Sequence, residues 1–331
     1  MSRAGLLTLV NVLLLKNRNM ADGEDPYAHG IASCLNCHGL TVVQSTFESN
    51  FAHTAGAVYV VSSPGGATIL NSTLSGNAAD TDAGSIAVEN APVHISGCSF
   101  NDEKVESFGA WGGALNILNS TSVVVEDTRF DGCYVASAGG ALHLHNSTAT
   151  LTNVSCSSCT ADTYGGCVAL TFSNLTVRGS TFDSNTCYFT GGAFHLDRAS
   201  ALYVYNTTFN NNTAPYGGAI NGQEDDGLVE LHGCSLTGNS AADKGGAVHL
   251  ESDRFAFLAT DTLFANNTVD ELGGAVACTA ANCSFTNCTL RNNTARLGGA
   301  VWSSSAKLLA LQEAAVVATK QNTVEAYMRR R

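Results

Sequence analysis

Three groups of residues in this chain have types and spacings that could do chemistry. Cys34-Leu35-Asn36-Cys37-His38 spells Cys-x-x-Cys-His, the spacing through which haem is attached covalently. His143, His195 and His249 recur at one place in a repeated pattern that holds Tyr59, Asn116, Asn221 and Trp302 in other copies. Three imidazoles in one column invite a metal ion, as do the local pairs His143/His145 and His195/Asp197. Gln223-Glu224-Asp225-Asp226, between Gly222 and Gly227, gathers carboxylates of the kind that serve as general acid and base in glycoside cleavage, Asp225 and Asp226 being the candidate pair.

Whether any of these groups can act depends on the elements that carry them, and those are set by a repeat. Gly-Gly-Ala returns at Gly112, Gly139, Gly191, Gly217, Gly245, Gly273 and Gly298, about 26 to 28 residues apart, with Gly165-Gly166-Cys167 in the one vacant slot. About midway between pairs an apolar residue is followed three later by asparagine: Phe47/Asn50, Leu74/Asn77, Phe182/Asn185, Phe209/Asn212, Leu236/Asn239, Phe264/Asn267 and Leu290/Asn293. Two marks locked in phase over residues 40–305 describe a stack of like units.

One unit reads Gly191 to Leu196, Ala201 to Tyr205 and Phe209 to Ala214, each piece strand-length and the first two alternating apolar with polar. This predicts an all-β fold, a right-handed single-stranded parallel β-helix of about 10 to 12 coils with three strands each. Ten rungs at ~4.8 Å make a rod roughly 50 Å long. The column from Phe47 to Leu290 is then core, and the asparagines occupy a turn where they satisfy backbone groups and tolerate a left-handed conformation. Paired glycines mark another corner, where a side chain would strike the next rung or force an unfavourable φ. Cys133 and Cys159 replace asparagine in two consecutive rungs, a stacking distance compatible with a disulfide between them.

The 331 residues read as one elongated domain, 1–331, with 1–39 as degenerate N-terminal coils and 306–331 as a degenerate coil in preference to a capping helix. Leu6 to Leu15 could be the apolar part of a secretory signal, but no small-residue cleavage site follows, and Leu7-Thr8-Leu9-Val10 aligns with Leu40-Thr41-Val42-Val43. The formal charge of −12 and the lack of a basic stripe argue against nucleic-acid partners. No apolar run reaches the length of a membrane-spanning helix. Twelve cysteines and eleven Asn-x-Ser/Thr sequons, at Asn71, Asn119, Asn146, Asn153, Asn174, Asn206, Asn211, Asn266, Asn282, Asn287 and Asn292, point to an extracellular or cell-surface glycoprotein. The repeat itself supplies three of these sequons as Asn-Asn-Thr, so their number is partly compositional.

Gly217-Gly218-Ala219-Ile220 and Phe182-Asp183-Ser184-Asn185 resemble the repeat of the chlamydial polymorphic outer membrane proteins, whose passenger domains carry many copies of Gly-Gly-Ala-aliphatic and Phe-x-x-Asn. That resemblance implies an adhesin-like β-helix displayed at a cell surface; similar repeats occur in uncharacterised eukaryotic β-helix proteins. Ala306 to Arg331 does not resemble the outer-membrane barrel of the chlamydial family, and the sequons and cysteines fit a eukaryotic surface protein better.

Placed on such a rod, the chemical candidates weaken. Gly30 to Cys34 parallels Gly274 to Cys278, so the Cys-x-x-Cys-His segment is part of a rung, its cysteines a disulfide or a pair of thiols, and no cofactor is expected. The histidines fall on alternate rungs, ~9.6 Å apart, too far for one ion, and their column is expected to be a wet, polar face. The acidic turn resembles the paired-aspartate motif of polygalacturonases, which share the pectin-lyase-like fold, but the accompanying His-Gly and Arg-x-Lys elements are missing. No phosphate-binding loop and no calcium-binding nonapeptide is present. The expectation is a non-enzymatic structural or adhesive module that binds glycans or surface proteins along its polar faces, with a polysaccharide lyase or glycoside hydrolase as the alternative.

Overall fold

A computed structural model describes residues 5–19, 29–224, 226–279, 281–304, 309–317 and 324–327. Its strands form four parallel sheets in which every strand pairs with the equivalent one a rung away. Sheet A runs from Leu6–Val10 to Leu309–Gln312, sheet B from Leu13–Leu15 to Ala315–Val317, sheet C from Arg18–Asn19 to Thr268–Val269, and sheet D from Gly30–Leu35 to Val324–Tyr327. A, B and D each hold 12 strands and C holds 10. The chain is an all-β parallel solenoid.

Most rungs have four strands, one more than the sequence pattern suggests. The third piece of the unit is cut by Asn211, whose φ of 53° lies in the left-handed region, into Thr208–Asn210 and Thr213–Tyr216. At the first coil, Leu6–Val10 pairs with Gly39–Val43 in the register Leu7↔Leu40. At the far end Leu309–Gln312, Ala315–Val317 and Val324–Tyr327 extend sheets A, B and D as a further rung.

The core is the inside of the coil. Phe47, Leu74, Phe100 and Phe130 stack in register through sheet B, as do Phe182, Phe209, Leu236, Phe264 and Leu290, all buried. Cys156 fills the gap between Phe130 and Phe182. Ring centroids lie 4.9 Å apart for Phe100/Phe130 and 5.2 Å for Phe182/Phe209, and truncating one such ring to alanine costs about 3–5 kcal/mol.

The asparagine column is internal too. Asn185, Asn212, Asn239, Asn267 and Asn293 are fully buried. In the first four the side-chain amide donates both to the next asparagine's Oδ1, at 3.0 Å for Asn212 to Asn239, and to a main-chain carbonyl of the preceding rung, at 3.0 Å for Asn212 to Phe182, while Asn293 donates to the Phe264 carbonyl. The left-handed residue is the one before each of them, such as Ser184, Asn211 and Gly238, so the turn and the ladder are separate devices. Glu103 also stands in this ladder, fully buried, a substitution that the Phe-x-x-Asn pattern passes over.

The two glycines of a pair do different jobs. Gly191 has φ 70°, and a Cβ on Gly192 would lie 2.0 Å from the carbonyl oxygen of Gly218 on the next rung. One supplies the turn and the other the closeness of stacking.

The expected Cys133–Cys159 bridge is not formed. Both residues are buried free thiols, with Cys159 Sγ 3.5 Å from the Ser157 carbonyl. Side chains stacked in register run alongside one another at ~4.8 Å, wider than the ~3.5–4.5 Å between the Cβ atoms of a disulfide. The bridges observed among the described residues, Cys34–Cys37, Cys156–Cys167 and Cys278–Cys283, each join residues of one coil, 3, 11 and 5 positions apart. They keep the fold compatible with an oxidising, extracellular compartment.

Candidate functional site

The outer side of sheet D is where the rod departs from a uniform surface. Outward positions on its strands hold Asn116, His143, Ala169, His195, Asn221 and His249, so histidine alternates with a smaller residue. The residue before each glycine pair alternates in the opposite phase: Trp111, Tyr164 and Tyr216 are separated by Ala138 and Thr190, and Lys244 follows. An aromatic of one rung therefore lies over the histidine of the next. Centroids are 4.6 Å apart for Trp111/His143 and Tyr164/His195, and 5.6 Å for Tyr216/His249.

This packing overturns the expectation of a wet face. Asn116, His143, His195, Asn221 and His249 are all buried, by ring stacking on the outside and by the sheet beneath. Burial pushes the three imidazoles down to about 3, so they are neutral at physiological pH. Tyr59 and Trp302, elsewhere in the column, are half-buried.

Side-chain amides decide where the histidine protons sit. Asn116 Nδ2 donates to Asp82 Oδ1 at 3.3 Å, which turns Asn116 Oδ1 towards His143 Nδ1 at 2.8 Å. His143 thus carries its proton on Nδ1. Its Nε2 is a buried lone pair with no partner. Asn221 Nδ2 donates to His195 Nδ1 at 3.3 Å and Thr190 Oγ1 lies 2.9 Å from the same nitrogen, leaving the His195 proton on Nε2. Asn221 Oδ1 accepts from His249 Nδ1 at 2.9 Å, so His249 Nε2 is a second buried, unpartnered acceptor.

Two neighbouring hollows lie beside these residues. The larger, about 530 Å³, is lined by Asp82, Trp111, His143, Tyr164, His195 and Asp197 among others. The smaller, about 220 Å³, lies against Tyr216, Asn221, Lys244, His249 and Glu251. Asp197 Oδ1 is also buried without a partner, while Oδ2 is 3.4 Å from Arg198 Nε, which in turn is 3.5 Å from Glu224. Burial first, and then the neighbouring Glu224 carboxylate, push the Asp197 carboxyl up to about 6. Burial likewise raises Asp82. At the rim, Phe172 is half exposed and held at φ 50°, a strained conformation for a bulky residue, with the Arg198 guanidinium 5.8 Å from its ring centre.

The other sequence candidates fall elsewhere. Cys34 and Cys37 are bonded to each other, so neither sulfur is free to hold a haem. Asp225 lies outside the described residues, and Asp226 is exposed, 3.7 Å from Arg254. Among the described residues no three His, Cys, Asp or Glu side chains converge as metal ligands. Nine sequon asparagines, Asn71, Asn119, Asn146, Asn153, Asn206, Asn211, Asn266, Asn287 and Asn292, occupy exposed left-handed corners with φ of 47–55°. Asn174 is exposed at a strand start, and Asn282 is half-buried with an enclosed Oδ1. The aromatic half of the site went unread in the sequence, although its signal is there: the residue before each glycine pair alternates in size.

A family model described as a right-handed β-helix region matches residues 29–209 and 104–257, together more than two thirds of the chain. The chain belongs to the right-handed β-helix family. No curated protein and no solved structure matches it. No helix among the described residues is long and apolar enough to cross a membrane.

Proposed function

We propose that this β-helix is a non-catalytic secreted or cell-surface module, adhesin-like in its repeat, that binds a glycan in the groove on sheet D. The observation that carries this reading is the hollow of about 530 Å³ on sheet D, lined by the aromatic side chains of Trp111 and Tyr164 together with Asp82, Asp197 and Arg198. The aromatic side chains give the apolar side of a sugar a place to rest, and the charged ones offer partners to its hydroxyls. A glycan array probed with the native protein and Trp111→Ala tests the reading. Binding that the variant loses supports it; no glycan bound by the native protein sinks it.

A hydrolytic reading draws on one observation, the Asp197 carboxyl raised to about 6 beside Glu224. It requires that bound glycans be cleaved and that Asp197→Asn abolish cleavage while binding persists. Intact oligosaccharide recovered after prolonged incubation with native protein counts against it.

A further inference from the structure

Among the described residues five aromatic rings are exposed, and four of them, Phe108, Trp111, Tyr188 and Phe189, stand on one corner of the coil, between sheets C and D. The first two belong to one rung and the last two to another three rungs on, ~14 Å along the rod. Tyr164 and Tyr216 continue the strip, with the Phe189 ring edge-on to both at centroid distances of 6.3 and 6.0 Å. Phe108 owes its place to an insertion. Seven positions separate Val105 from Gly112, against four from Val135 to Gly139 on the next rung, and the longer connection turns at Gly109, φ 87°, leaving Phe108 94% exposed. Large apolar rings gathered on an outer surface mark a place of contact.

Two further features bear on what touches it. The eleven sequons fall between sheets A and B, between B and C, between D and A, or at the first residue of a sheet A strand, and never between C and D. Glycans on them would leave the aromatic corner bare. The corner is also acidic. From Asp80 to Lys244 it carries Asp80, Asp82, Glu106, Asp162 and Asp243, while Lys104 beside it pairs with Glu106, His53 faces Asp80 at 3.5 Å, and Lys244 stands at the far end.

A corner of a coil is convex, whereas small ligands are held in concavities. Phe189 also walls the smaller hollow of sheet D, but Phe108 and Tyr188 line neither hollow. What rings and carboxylates on a ridge accept is the flat guanidinium of arginine, which stacks on an aromatic face and forks onto a carboxylate. We infer that the ridge between sheets C and D is a docking surface for another protein, one that lays arginine side chains on Phe108, Tyr188 and Phe189 and pairs them with carboxylates such as Asp162. A second copy of this chain is a poor occupant, because it brings the same acidic ridge and the same net charge of −12. The inference is independent of the glycan reading of the sheet D hollow.

The test is selection of phage-displayed random dodecapeptides on the native protein, with the double variant Phe108→Ser/Tyr188→Ser as the counter-target. Both rings are exposed, so the variant should keep the native unfolding midpoint. Peptides held by the native protein and released by the variant should be enriched in arginine about threefold or more over the unselected library. Synthesised singly, they should bind the variant about tenfold or more weaker than the native protein, and lose a similar factor when their arginines become glutamine. Their affinity should fall with added salt and fall again in Asp162→Asn. Peptides without arginine enrichment, peptides held equally by the variant, or no retained peptide overturn the inference. So does another occupant of the ridge, shown by sedimentation of native dimers or by binding to phosphatidylcholine vesicles that the double variant loses. The variant's glycan-array pattern should match the native one, so that either reading can fail without the other.

Discussion

Glu103 offers the sharpest test of the internal ladder. It occupies a rung where most others have asparagine, it is fully buried, and its carboxyl oxygens accept from three donors: Ser85 Oγ at 2.6 Å, Asn77 N at 3.1 Å and Asn77 Nδ2 at 3.3 Å. Burial outweighs these hydrogen bonds and pushes its carboxyl from 4.5 up to about 8. The folded protein therefore holds this proton more tightly than the unfolded chain does. Below pH 4.5 both states are protonated and stability is greatest. As pH rises the unfolded chain ionises alone and stability falls, levelling off above about pH 8 when the folded state ionises too. At 1.36 kcal/mol per pH unit the loss is about 3 kcal/mol by pH 7 and about 5 kcal/mol by pH 9. Glu103→Gln keeps the size and removes the ionisation, so native protein and variant should be close in stability at pH 4.5 while the variant is the more stable by several kcal/mol at pH 8 to 9. Denaturant unfolding of both at each pH measures this, and taking the difference cancels the pH dependence of every other group. A gap between the two proteins that does not change with pH would refute a buried, protonated Glu103.

Gly192→Ala should destabilise the fold by about 3 kcal/mol or more, because its Cβ meets the Gly218 carbonyl; an unchanged unfolding midpoint would contradict the stacking. Peptide mapping without reductant should recover Cys34–Cys37, Cys156–Cys167 and Cys278–Cys283, with Cys133 and Cys159 alkylated as thiols only after unfolding. Expressed through a secretory pathway, the protein should carry glycans on exposed corners such as Asn119 and Asn206 and none on Asn282, as site-resolved mass spectrometry would report. The ring resonances of His143, His195 and His249 should stay in the neutral form between pH 8 and pH 5, since burial holds all three near 3. Because only the unfolded chain takes up protons in that range, these histidines lower stability as pH falls below about 6.5.

What the sequence determines by itself is the scaffold. Positions one rung apart meet the same neighbours, so Phe182, Phe209 and Leu236 in one column, Asn185, Asn212 and Asn239 in another and the glycine pairs in a third declare a parallel stack through periodicity alone. Even the doubled period of the groove is written there, in His143, His195 and His249 and in Trp111, Tyr164 and Tyr216. The tertiary structure decides what those residues experience. Whether His143 is wet or buried depends on Trp111, a ring from the previous rung, and whether its Nε2 is donor or acceptor depends on Asn116 and, through it, on Asp82 a further rung away. The pairing of Cys133 with Cys159 fails for a related reason, since stacking sets their spacing but also the parallel direction of their side chains. Columns are a one-dimensional property of the chain, whereas burial, proton position and the hollows beside sheet D arise only when side chains from three or more rungs share the same space.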